Sequence, residues 1–445
     1  MTSTGNGTTP TVATLCHAIW QLERELDLLS WRIQGAHPWP IIRMRVFHEL
    51  TKRGGIHGEP HPVRRTRSDK ARLVGKHVAG VVGKNPFLAS GAYDALVVPH
   101  PRKPAGIEIY TDKLRTELGS SALVLDSGIN GTPLAGSRNL DFFTSAAGAV
   151  RSRSIDARTT TIANALEALT GVKVPIGALV AREIPKHLRL RTLYRALLRR
   201  HRIKTVYSVV PYFHQHITGA ARDLGVPVIE LQHGAISPFH LGYSYPGSPV
   251  VADQPDELWC FGSYWETVAE LPAGMSTAVI GAPFLPAADA SLKIDDQVLF
   301  LSQGTIGPAL LDFAVEFSAA RPELDVVFRL HPSEHLTDYA VPSGSRVRLS
   351  AGSAESTVEL QRAAAYQVGV STTALFEGMA LGCRTAVAEL PGHEYLQPVV
   401  DLGDALLAPD AATLAARLED APVCADSSVY YAADQLSAVL KDPSR

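Results

Sequence analysis

Short apolar runs alternate with longer stretches of helical periodicity along most of the chain. Most of these runs are continuous rather than strictly alternating with polar residues, which is typical of parallel strands covered by helices on both faces. Helical intervals such as 162–170, 216–224 and 310–320 separate many of them. Nine runs are predicted to be strands: 94–98, 122–125, 205–210, 227–231, 257–261, 298–302, 325–330, 366–370 and 385–389. This alternation predicts an α/β fold with doubly wound parallel sheets.

Two punctuated stretches divide the chain. Residues 245–256 contain Tyr-Pro-Gly-Ser-Pro and Asp-Gln-Pro-Asp, and a second soft segment at 281–296 precedes a fresh series of strand–helix units. We therefore expect an N-terminal domain at 1–250 and a C-terminal domain at 257–425. The last helix, within 426–445, is expected to pack back across the seam onto the N-terminal domain.

The composition narrows the class of protein. The chain has 445 residues, with 42 basic and 44 acidic side chains and a net charge of −2. It is long enough for two or three domains. Its hydrophobic content and its near-equal numbers of basic and acidic side chains exclude wholesale disorder and a generally basic nucleic-acid binder. Four widely spaced cysteines argue against a disulfide framework or a zinc site. Because no window approaches the about 20 apolar residues of a membrane span, we expect a soluble, cytoplasmic protein.

One basic segment departs from this near-neutral average. Residues 182–204 contain nine Lys or Arg and one Glu, interleaved with leucines. The pattern fits a basic amphipathic helix at a membrane surface or near an anionic acceptor. It fits an ordinary surface helix with a solvated face equally well. The first interpretation would make the protein peripheral at the inner face of the cell membrane.

The first candidate for chemistry is a histidine that follows the predicted strand at 227–231. His233 lies in the sequence Glu-Leu-Gln-His-Gly. Ligands of α/β folds lie at the carboxyl ends of strands, and a histidine there can act as a general base near neutral pH. The glycine after it lets the backbone approach a substrate. The alternative is a structural histidine whose hydrogen bonds are satisfied internally.

Two further motifs follow strands in the C-terminal half. His331 and Pro332 end one strand, and such a histidine can donate a hydrogen bond to a phosphate oxygen. Ser371 and Thr372 follow another strand and open a helix, where hydroxyls cap free amides and those amides attract an anion. Glu377, one turn into that helix, is placed to reach a ribose hydroxyl.

A small loop, Gln303-Gly304-Thr305, opens the first strand–helix unit of the C-terminal half. Such a loop lets a nucleotide or a sugar lie close to the backbone. It matches neither a Walker A loop nor G-x-G-x-x-G, so ATPase and dinucleotide interpretations lose their main support. The sequence also lacks H-E-x-x-H and a convincing G-x-S-x-G elbow.

The order of these motifs resembles the GT-B glycosyltransferases of bacterial capsule, lipopolysaccharide and teichoic-acid assembly. The chain is most similar to His-Pro-motif transferases that use CMP-activated Kdo or sialic acid, and to teichoic-acid-type polymerases. The resemblance implies two Rossmann-like domains facing across a cleft, with the nucleotide donor mainly on the C-terminal one. It implies that His331 and Pro332 hold the CMP phosphate together with Ser371 and Thr372. By the same resemblance His233 is a candidate base.

The chain departs from the bacterial sialyltransferases at one motif. Those enzymes have two acidic residues and a glycine in the N-terminal domain, where this sequence has Asp126, a serine and a glycine. The missing second acid leaves the base open between Asp126 and His233. It also weakens the expectation of a sialyl donor.

The resemblance implies an inverting, metal-independent glycosyltransferase. The expected donor is a CMP-activated acidic sugar, and the expected acceptor is a glycan or a lipid-linked glycan of surface-polysaccharide biosynthesis. No Asp-x-Asp metal motif is convincing, and no cofactor beyond the nucleotide-sugar substrate is expected. Three alternatives stay open: a CDP-glycerol-type glycerophosphotransferase, a nucleotide-sugar 2-epimerase of the same architecture, and a non-catalytic GT-B-like scaffold.

Overall fold

The computed structural model describes residues 10–56, 84–100, 108–127, 133–147, 156–304, 306–352 and 355–442. The strands of this part of the chain form two parallel sheets. The strands of the first sheet are β1 (Ala95–Val98), β2 (Ala122–Asp126), β3 (Arg138–Asn139), β4 (Thr205–Val209), β5 (Val228–Leu231), β6 (Glu257–Cys260) and β7 (Ser276–Val279). The strands of the second are β8 (Ile294–Leu301), β9 (Asp325–Arg329), β10 (Arg348–Ser350), β11 (Ala364–Gly369), β12 (Arg384–Ala388) and β13 (Leu406–Ala408).

Both sheets have the strand order of a Rossmann fold. The second runs β10-β9-β8-β11-β12-β13, and the first runs β3-β2-β1-β4-β5-β6 with β7 added at the edge. In such sheets the order reverses at a switch point, here between β1 and β4 and between β8 and β11, and ligands bind outside the strand ends there. The predicted fold class, α/β with two Rossmann-like doubly wound domains, is confirmed.

Helices cover both sheets and precede the first one. Several begin where a side chain accepts a backbone N–H, as Thr11, Ser356 and Asp410 do. The helices are α1 (Val12–Glu25), α2 (Pro38–Arg53), α3 (Asp112–Leu118), α4 (Asp141–Ala147), α5 (Arg158–Thr170), α6 (Ile176–His201), α7 (Gln215–Arg222), α8 (Tyr264–Thr267), α9 (Gly307–Ala320), α10 (Thr357–Ala363), α11 (Ala374–Ala380), α12 (Gln397–Asp401), α13 (Ala411–Arg417) and α14 (Leu436–Leu440).

Successive strand residues point into different cores. Leu96 of the first sheet and Phe300 of the second lie in cores that belong to one sheet each. Their neighbours Val97 and Leu299 lie in a third core, which contains one face of both sheets. The two domains are therefore joined by a continuous apolar layer, and each sheet is buried on both faces.

All nine predicted strands are present, with ends within a few residues of those expected. The sequence did not reveal the remaining four. Each is only two to four residues long, and each lies at the edge of a sheet, where partly exposed positions interrupt the apolar run. These four strands are β3, β7, β10 and β13.

The expected domain boundary at 250–257 is wrong. β6 pairs with β5 and β7 pairs with β6, so both belong to the first sheet. The change of sheet falls between Val279 and Ile294, in the second soft segment. The Pro- and Gly-rich stretch near 245–256 is a loop within the first domain, and residues just before it hold α2 because Arg43 donates to the carbonyl of Leu241.

The C-terminal segment lies against the first domain. Ala432 donates its backbone N–H to Phe261 (2.8 Å), and Gln435 donates to Ile280 (2.8 Å). Asp434 pairs with Lys113 of α3. The segment therefore runs along the ends of β6 and β7 and ends on α3.

The basic segment 182–204 forms most of α6, and its apolar face is not available to a membrane. Leu190, Leu197 and Leu198 are buried in the core of the first domain. Arg191 pairs with Asp223 at 2.9 Å and with a second carboxylate. Insertion of an apolar face into lipid is thus excluded for the native fold, and only the exposed basic side chains remain for a surface contact. None of the described helices combines the length and the hydropathy that crossing a membrane requires.

Candidate active site

His233 lies just beyond the carboxyl end of β5, next to the switch point of the first sheet. Its Nε2 is 3.2 Å from the hydroxyl of Tyr212, and its Nδ1 is 3.4 Å from the hydroxyl of Tyr243. The ring of His100, which follows β1, stacks on it with centroids 5.3 Å apart. Tyr110 meets it edge-on. The half-buried imidazole is therefore enclosed by aromatic rings from four segments of the first domain.

Tyr212 reaches His233 because the chain turns sharply after β4. Val210 has φ 58° and is buried. A β-branched residue in the left-handed region is a strained outlier, and such strain clusters at functional sites. The turn leads directly into the short helical segment that contains Tyr212. Backbone strain is thus found where the first domain positions a side chain against His233.

A buried carboxyl lies behind His233. Glu230 is 2% exposed, and its Oε1 accepts a hydrogen bond from Tyr243 at 2.6 Å. Burial raises the pKa of Glu230 to about 8, although the hydrogen bond from Tyr243 opposes the rise. The same tyrosine hydroxyl faces both Glu230 and His233.

His331 begins the loop after β9, and its ring orientation follows from its own turn. The backbone N–H of Ser333 donates to its Nδ1 at 3.2 Å, and the Ser333 hydroxyl lies 2.7 Å from the same nitrogen. Because Nδ1 accepts a hydrogen bond, the ring proton is assigned to Nε2. His331 therefore presents an N–H donor, as contact with a phosphate oxygen requires. Pro332 is exposed beside it.

Glu334 holds this turn in place. Its carboxylate accepts the backbone N–H of His331 at 2.6 Å and the hydroxyl of Ser302 at 2.9 Å, and Tyr339 donates to it as well. Glu334 is buried, and Ser302 follows β8. The carboxylate thus joins the ends of β8 and β9 and fixes the position of His331 between them.

Gln303 and Ser371 join the two strands that flank the switch point of the second sheet. Gln303 donates to the hydroxyl of Ser371 at 2.7 Å and accepts its backbone N–H at 2.9 Å. Gly304 follows with φ 83°, and a Cβ there would lie 3.1 Å from the hydroxyl of Ser333. A side chain at Gly304 would therefore crowd the His331 turn. Thr305 lies outside the described residues.

The two domains touch at the candidate residues. Thr373, at the start of α11, accepts the backbone N–H of Ala235 at 3.0 Å. Ala235 is two residues from His233, and Thr373 is two residues from Ser371. Thr372 caps the helix start instead, since its hydroxyl accepts the N–H of Ala374 at 3.3 Å. The loops after β5 and β11 are therefore in direct contact.

Glu377 faces the first domain from α11. The carboxyl is half-buried, and burial raises its pKa to about 7. Its charge in turn contributes to the raised pKa values of Tyr110 and Tyr431. Glu377 is thus a carboxyl with a pKa near neutral pH, and it lies where the two domains and the C-terminal segment meet.

Asp126, a predicted candidate base, and Arg329, beside the His-Pro motif, do not point toward the other candidate residues. Asp126 is 2% exposed at the end of β2, where its carboxylate accepts the backbone N–H of Leu134 at 2.7 Å. β2 is three strands from β5, a separation of about 14 Å. Arg329 points to the other side of β9, where it donates to the hydroxyl of Ser350 and to the carbonyl of Gly352.

Five contributors to the site were not predicted from sequence: Glu230, Tyr212, Tyr243, Glu334 and Thr373. Glu230 had a signal, because a carboxyl within an otherwise apolar strand calls for a partner. Tyr212 and Tyr243 had none, since their contacts depend on loop conformation. Among the described residues, no group of three His, Cys, Asp or Glu is arranged to hold a metal ion.

A comparison with protein-family models finds no match, and neither does one with curated protein sequences. Among solved structures, the chain is similar to CalG4, the calicheamicin glycosyltransferase (14% identity, TM-score 0.44, covering 76% of this chain and 91% of that chain). It is also similar to MurG of Acinetobacter baumannii (13% identity, TM-score 0.44, covering 77% of this chain and 94% of that chain). A third similar structure is the UDP-GlcNAc 2-epimerase from Methanocaldococcus jannaschii (11% identity, TM-score 0.45, covering 78% of this chain and 98% of that chain). At TM-scores below 0.5 these likenesses carry no argument about activity.

Proposed function

We propose that this chain is a nucleotide-sugar-dependent glycosyltransferase whose active site lies between its two Rossmann-like domains. The observation that supports this most directly is the contact between the loops after β5 and β11, through the hydrogen bond from Ala235 to Thr373. It brings a histidine suited to base catalysis toward hydroxyls suited to an anion. Transfer between two bound substrates needs both groups at one place.

In this proposal the second domain binds the donor. His331 donates through Nε2 to the phosphate, and the hydroxyls of Ser371 and Thr372 add further donors, with Gln303 fixing Ser371. Donors held in place before the reaction stabilise the charge that develops on the departing phosphate, an effect worth a few kcal/mol. Glu377 accepts a ribose hydroxyl.

The first domain binds the acceptor. His233 removes the proton of the acceptor hydroxyl through Nε2, and the oxygen attacks the anomeric carbon opposite the nucleotide, so the reaction inverts configuration. The other candidate base, Asp126, accepts a backbone N–H about 14 Å away. We therefore assign the base to His233.

The finer assignments rest on the motif order. The His-Pro pair and the downstream Ser-Thr pair favour a CMP-activated acidic sugar, metal-independent transfer and a role in surface-polysaccharide biosynthesis. The exposed basic side chains of α6, among them Arg199 and Arg200, give a cytoplasmic enzyme a way to stay near an anionic membrane surface. Retention on anionic liposomes at low salt would support that contact, and failure of retention would remove it.

The experiment that tests donor binding is isothermal titration calorimetry with CMP, CDP, UDP and GDP. We expect one nucleotide to bind and His331→Ala to weaken it about tenfold or more, because one hydrogen bond to a charged group is lost. His335→Ala, an exposed histidine four residues on, is the matched control and should bind normally. Binding of no nucleotide would contradict the proposal and favour a scaffold.

Product analysis tests the reaction. The protein is incubated with a glycan acceptor and with a nucleotide sugar that contains the nucleotide found to bind. The products should be the free nucleotide and an acceptor with a new glycosidic bond. His233→Ala should lower turnover by about 10²–10⁴-fold, as expected for loss of a general base. CMP release with glycerol phosphate attached to the acceptor would indicate the glycerophosphotransferase instead.

A further inference from the structure

The structure contains an acidic group that neither the fold nor donor binding explains. Glu230 is 2% exposed on β5, in the middle of the first sheet. Among the described residues, no cation compensates the charge of the Glu230 carboxyl, and the side chain that donates a hydrogen bond to it is Tyr243. An apolar residue would fill such a strand position without the cost of desolvating a carboxyl. Its place directly behind His233 suggests that it serves that residue.

The Tyr243 hydroxyl lies between the two titratable groups. It is 2.6 Å from Oε1 of Glu230 and 3.4 Å from Nδ1 of His233. The phenol has one proton, so when it donates to Glu230 its oxygen accepts the N–H of Nδ1. That arrangement leaves the lone pair of His233 on Nε2, the nitrogen that faces Tyr212.

The ring of Tyr243 is held firmly enough to act in this way. It is buried, and it packs against His240 with centroids 4.8 Å apart and against Tyr212 at 5.8 Å. Within the described part of the chain, His233 is faced by His100, Tyr110, Tyr212 and Tyr243. Tyr243 in turn donates a hydrogen bond to the Glu230 carboxyl.

We propose that Tyr243 and Glu230 are positioning residues for His233: the Tyr243 hydroxyl transmits the charge of Glu230 to Nδ1, which fixes the tautomer with Nε2 free of its proton and stabilises the imidazolium. This inference rests on the proposed role of His233 as the base. When the acceptor proton moves to Nε2, the acceptor oxygen keeps the electron pair that forms the new glycosidic bond. The positive ring then faces the carboxylate through one hydroxyl.

The pH behaviour expected of such a pair follows from the burial of Glu230. Burial raises the pKa of Glu230 to about 8, which brings its titration close to that of an imidazole. Two groups coupled through one hydroxyl then share a proton, and their titrations belong to the pair. Where the shared proton lies on His233, Glu230 is the carboxylate that stabilises it.

The test measures the pKa of His233 without any substrate, by hydrogen–deuterium exchange at the imidazole C2 and peptide mass spectrometry, with fragmentation to separate His233 from His240. We expect Tyr243→Phe and Glu230→Gln each to lower the pKa of His233 by one unit or more. Tyr212→Phe makes the same chemical change beside the other ring nitrogen and is the matched control. It should not lower the pKa of His233, because a hydroxyl that donates to the lone pair of Nε2 stabilises the neutral ring and its loss raises the pKa.

Thermal melting and near-ultraviolet circular dichroism show whether each variant is folded. Should Tyr243→Phe fail to fold, Glu230→Gln still decides, because glutamine keeps the shape and one acceptor oxygen and cannot carry the negative charge. A His233 pKa that stays within 0.3 unit (about twofold in the proton equilibrium) in a folded variant overturns the proposal. Absence of nucleotide binding in calorimetry would contradict the glycosyltransferase and leave this measurement unaffected.

Discussion

At the scale of single residues, His331 depends on neighbours that fix its backbone and its proton. The turn is anchored by the Glu334 carboxylate, and the tautomer is set by the N–H of Ser333. Gly307, at the start of α9, leaves the space in which that anchor lies. A Cβ built there would overlap the Tyr339 hydroxyl and the Glu334 carboxylate.

We predict that Gly307→Ala destabilises the protein by about 1–3 kcal/mol, because overpacking forces the buried carboxylate out of place. Nucleotide affinity should fall with it, since the His331 turn loses its anchor. Urea denaturation and calorimetry measure the two effects. Ala309→Ser, at an exposed position of the same helical turn, should change stability by no more than about 0.5 kcal/mol. Equal stability of Gly307→Ala and the native protein would contradict the assigned role of Glu334.

The positions of candidate residues could be predicted where the ends of the strands could be predicted. His233, His331 and Ser371 were found because parallel sheets bind ligands beyond their carboxyl ends, and all three lie there. The contacts of Tyr243 and Thr373 were not predictable, because both lie on or against loops whose paths depend on packing between distant segments.

At the scale of elements, α6 illustrates how one sequence pattern allows two environments. Its leucines and basic residues fit a membrane surface or a protein core equally well. The structure places Leu197 and Leu198 in the core of the first domain, against Val206 and other strand residues. Arg191 ties the same helix to Asp223 beyond α7. The helix is therefore an integral part of the domain.

We predict that Leu197→Ala lowers the free energy of unfolding by about 2–5 kcal/mol, the usual cost of a cavity at a fully buried leucine. Arg199→Ala, an exposed position on the same helix, should stay within about 0.5 kcal/mol of the native value. Chemical denaturation measures both. A small effect of Leu197→Ala would mean that the helix is not packed as described.

At the scale of the whole molecule, a hydrogen bond from Ala235 to Thr373 connects the two domains beside the candidate site. We predict that Thr373→Val speeds amide exchange of the loop around Ala235 about tenfold or more, because the N–H loses its acceptor, at a cost of about 1–3 kcal/mol. Hydrogen–deuterium exchange with mass spectrometry reads the loop directly. Thr372→Val removes a hydroxyl that caps its own helix and should leave this loop unchanged. Unchanged exchange in Thr373→Val would show that the contact does not hold the domains together.

The first domain also contains one buried and three half-buried histidines that make the fold sensitive to acid. Burial lowers the pKa of His187, His214 and His240 to about 4, and that of His216 further. In the unfolded chain each binds a proton near pH 6.5, so the unfolded state binds more protons and stability falls as pH drops from 6.5 toward 4.

Three partly or fully buried carboxyls act in the opposite direction. Burial raises the pKa values of Glu230, Glu377 and Asp253, so the stability that they contribute is lost as pH rises and gained as pH falls toward their unfolded values. Four histidines outweigh three carboxyls, so we predict a net loss of about 1–3 kcal/mol per pH unit between about 6.5 and 4.5. Urea denaturation at a series of pH values measures the slope of unfolding free energy against pH. His187→Gln should lower that slope by the contribution of about one bound proton. A flat profile between pH 6.5 and 4.5 would contradict the burial of these rings.

The sequence by itself determined nine of the thirteen described strands, the α/β class and the strand ends at which the candidate residues lie. Those features follow from local patterns: continuous apolar runs, helical periodicity and polar residues just after strands. The boundary between the domains could not be determined from local patterns, because a proline-rich stretch such as the one near residue 250 is equally typical of a loop within a domain and of a linker between domains. Only the pairing of β6 with β5 assigned it to the first domain.

The tertiary structure alone decided which candidate residues lie together. It separated Asp126 from His233 by three strands, placed Glu230 and Tyr243 behind His233, and joined Ala235 to Thr373 across the domains. Each relation links residues distant along the chain or depends on the path of a loop. The physical reason is that a hydrogen bond depends on distances in space, whereas a sequence pattern records only spacing along the chain.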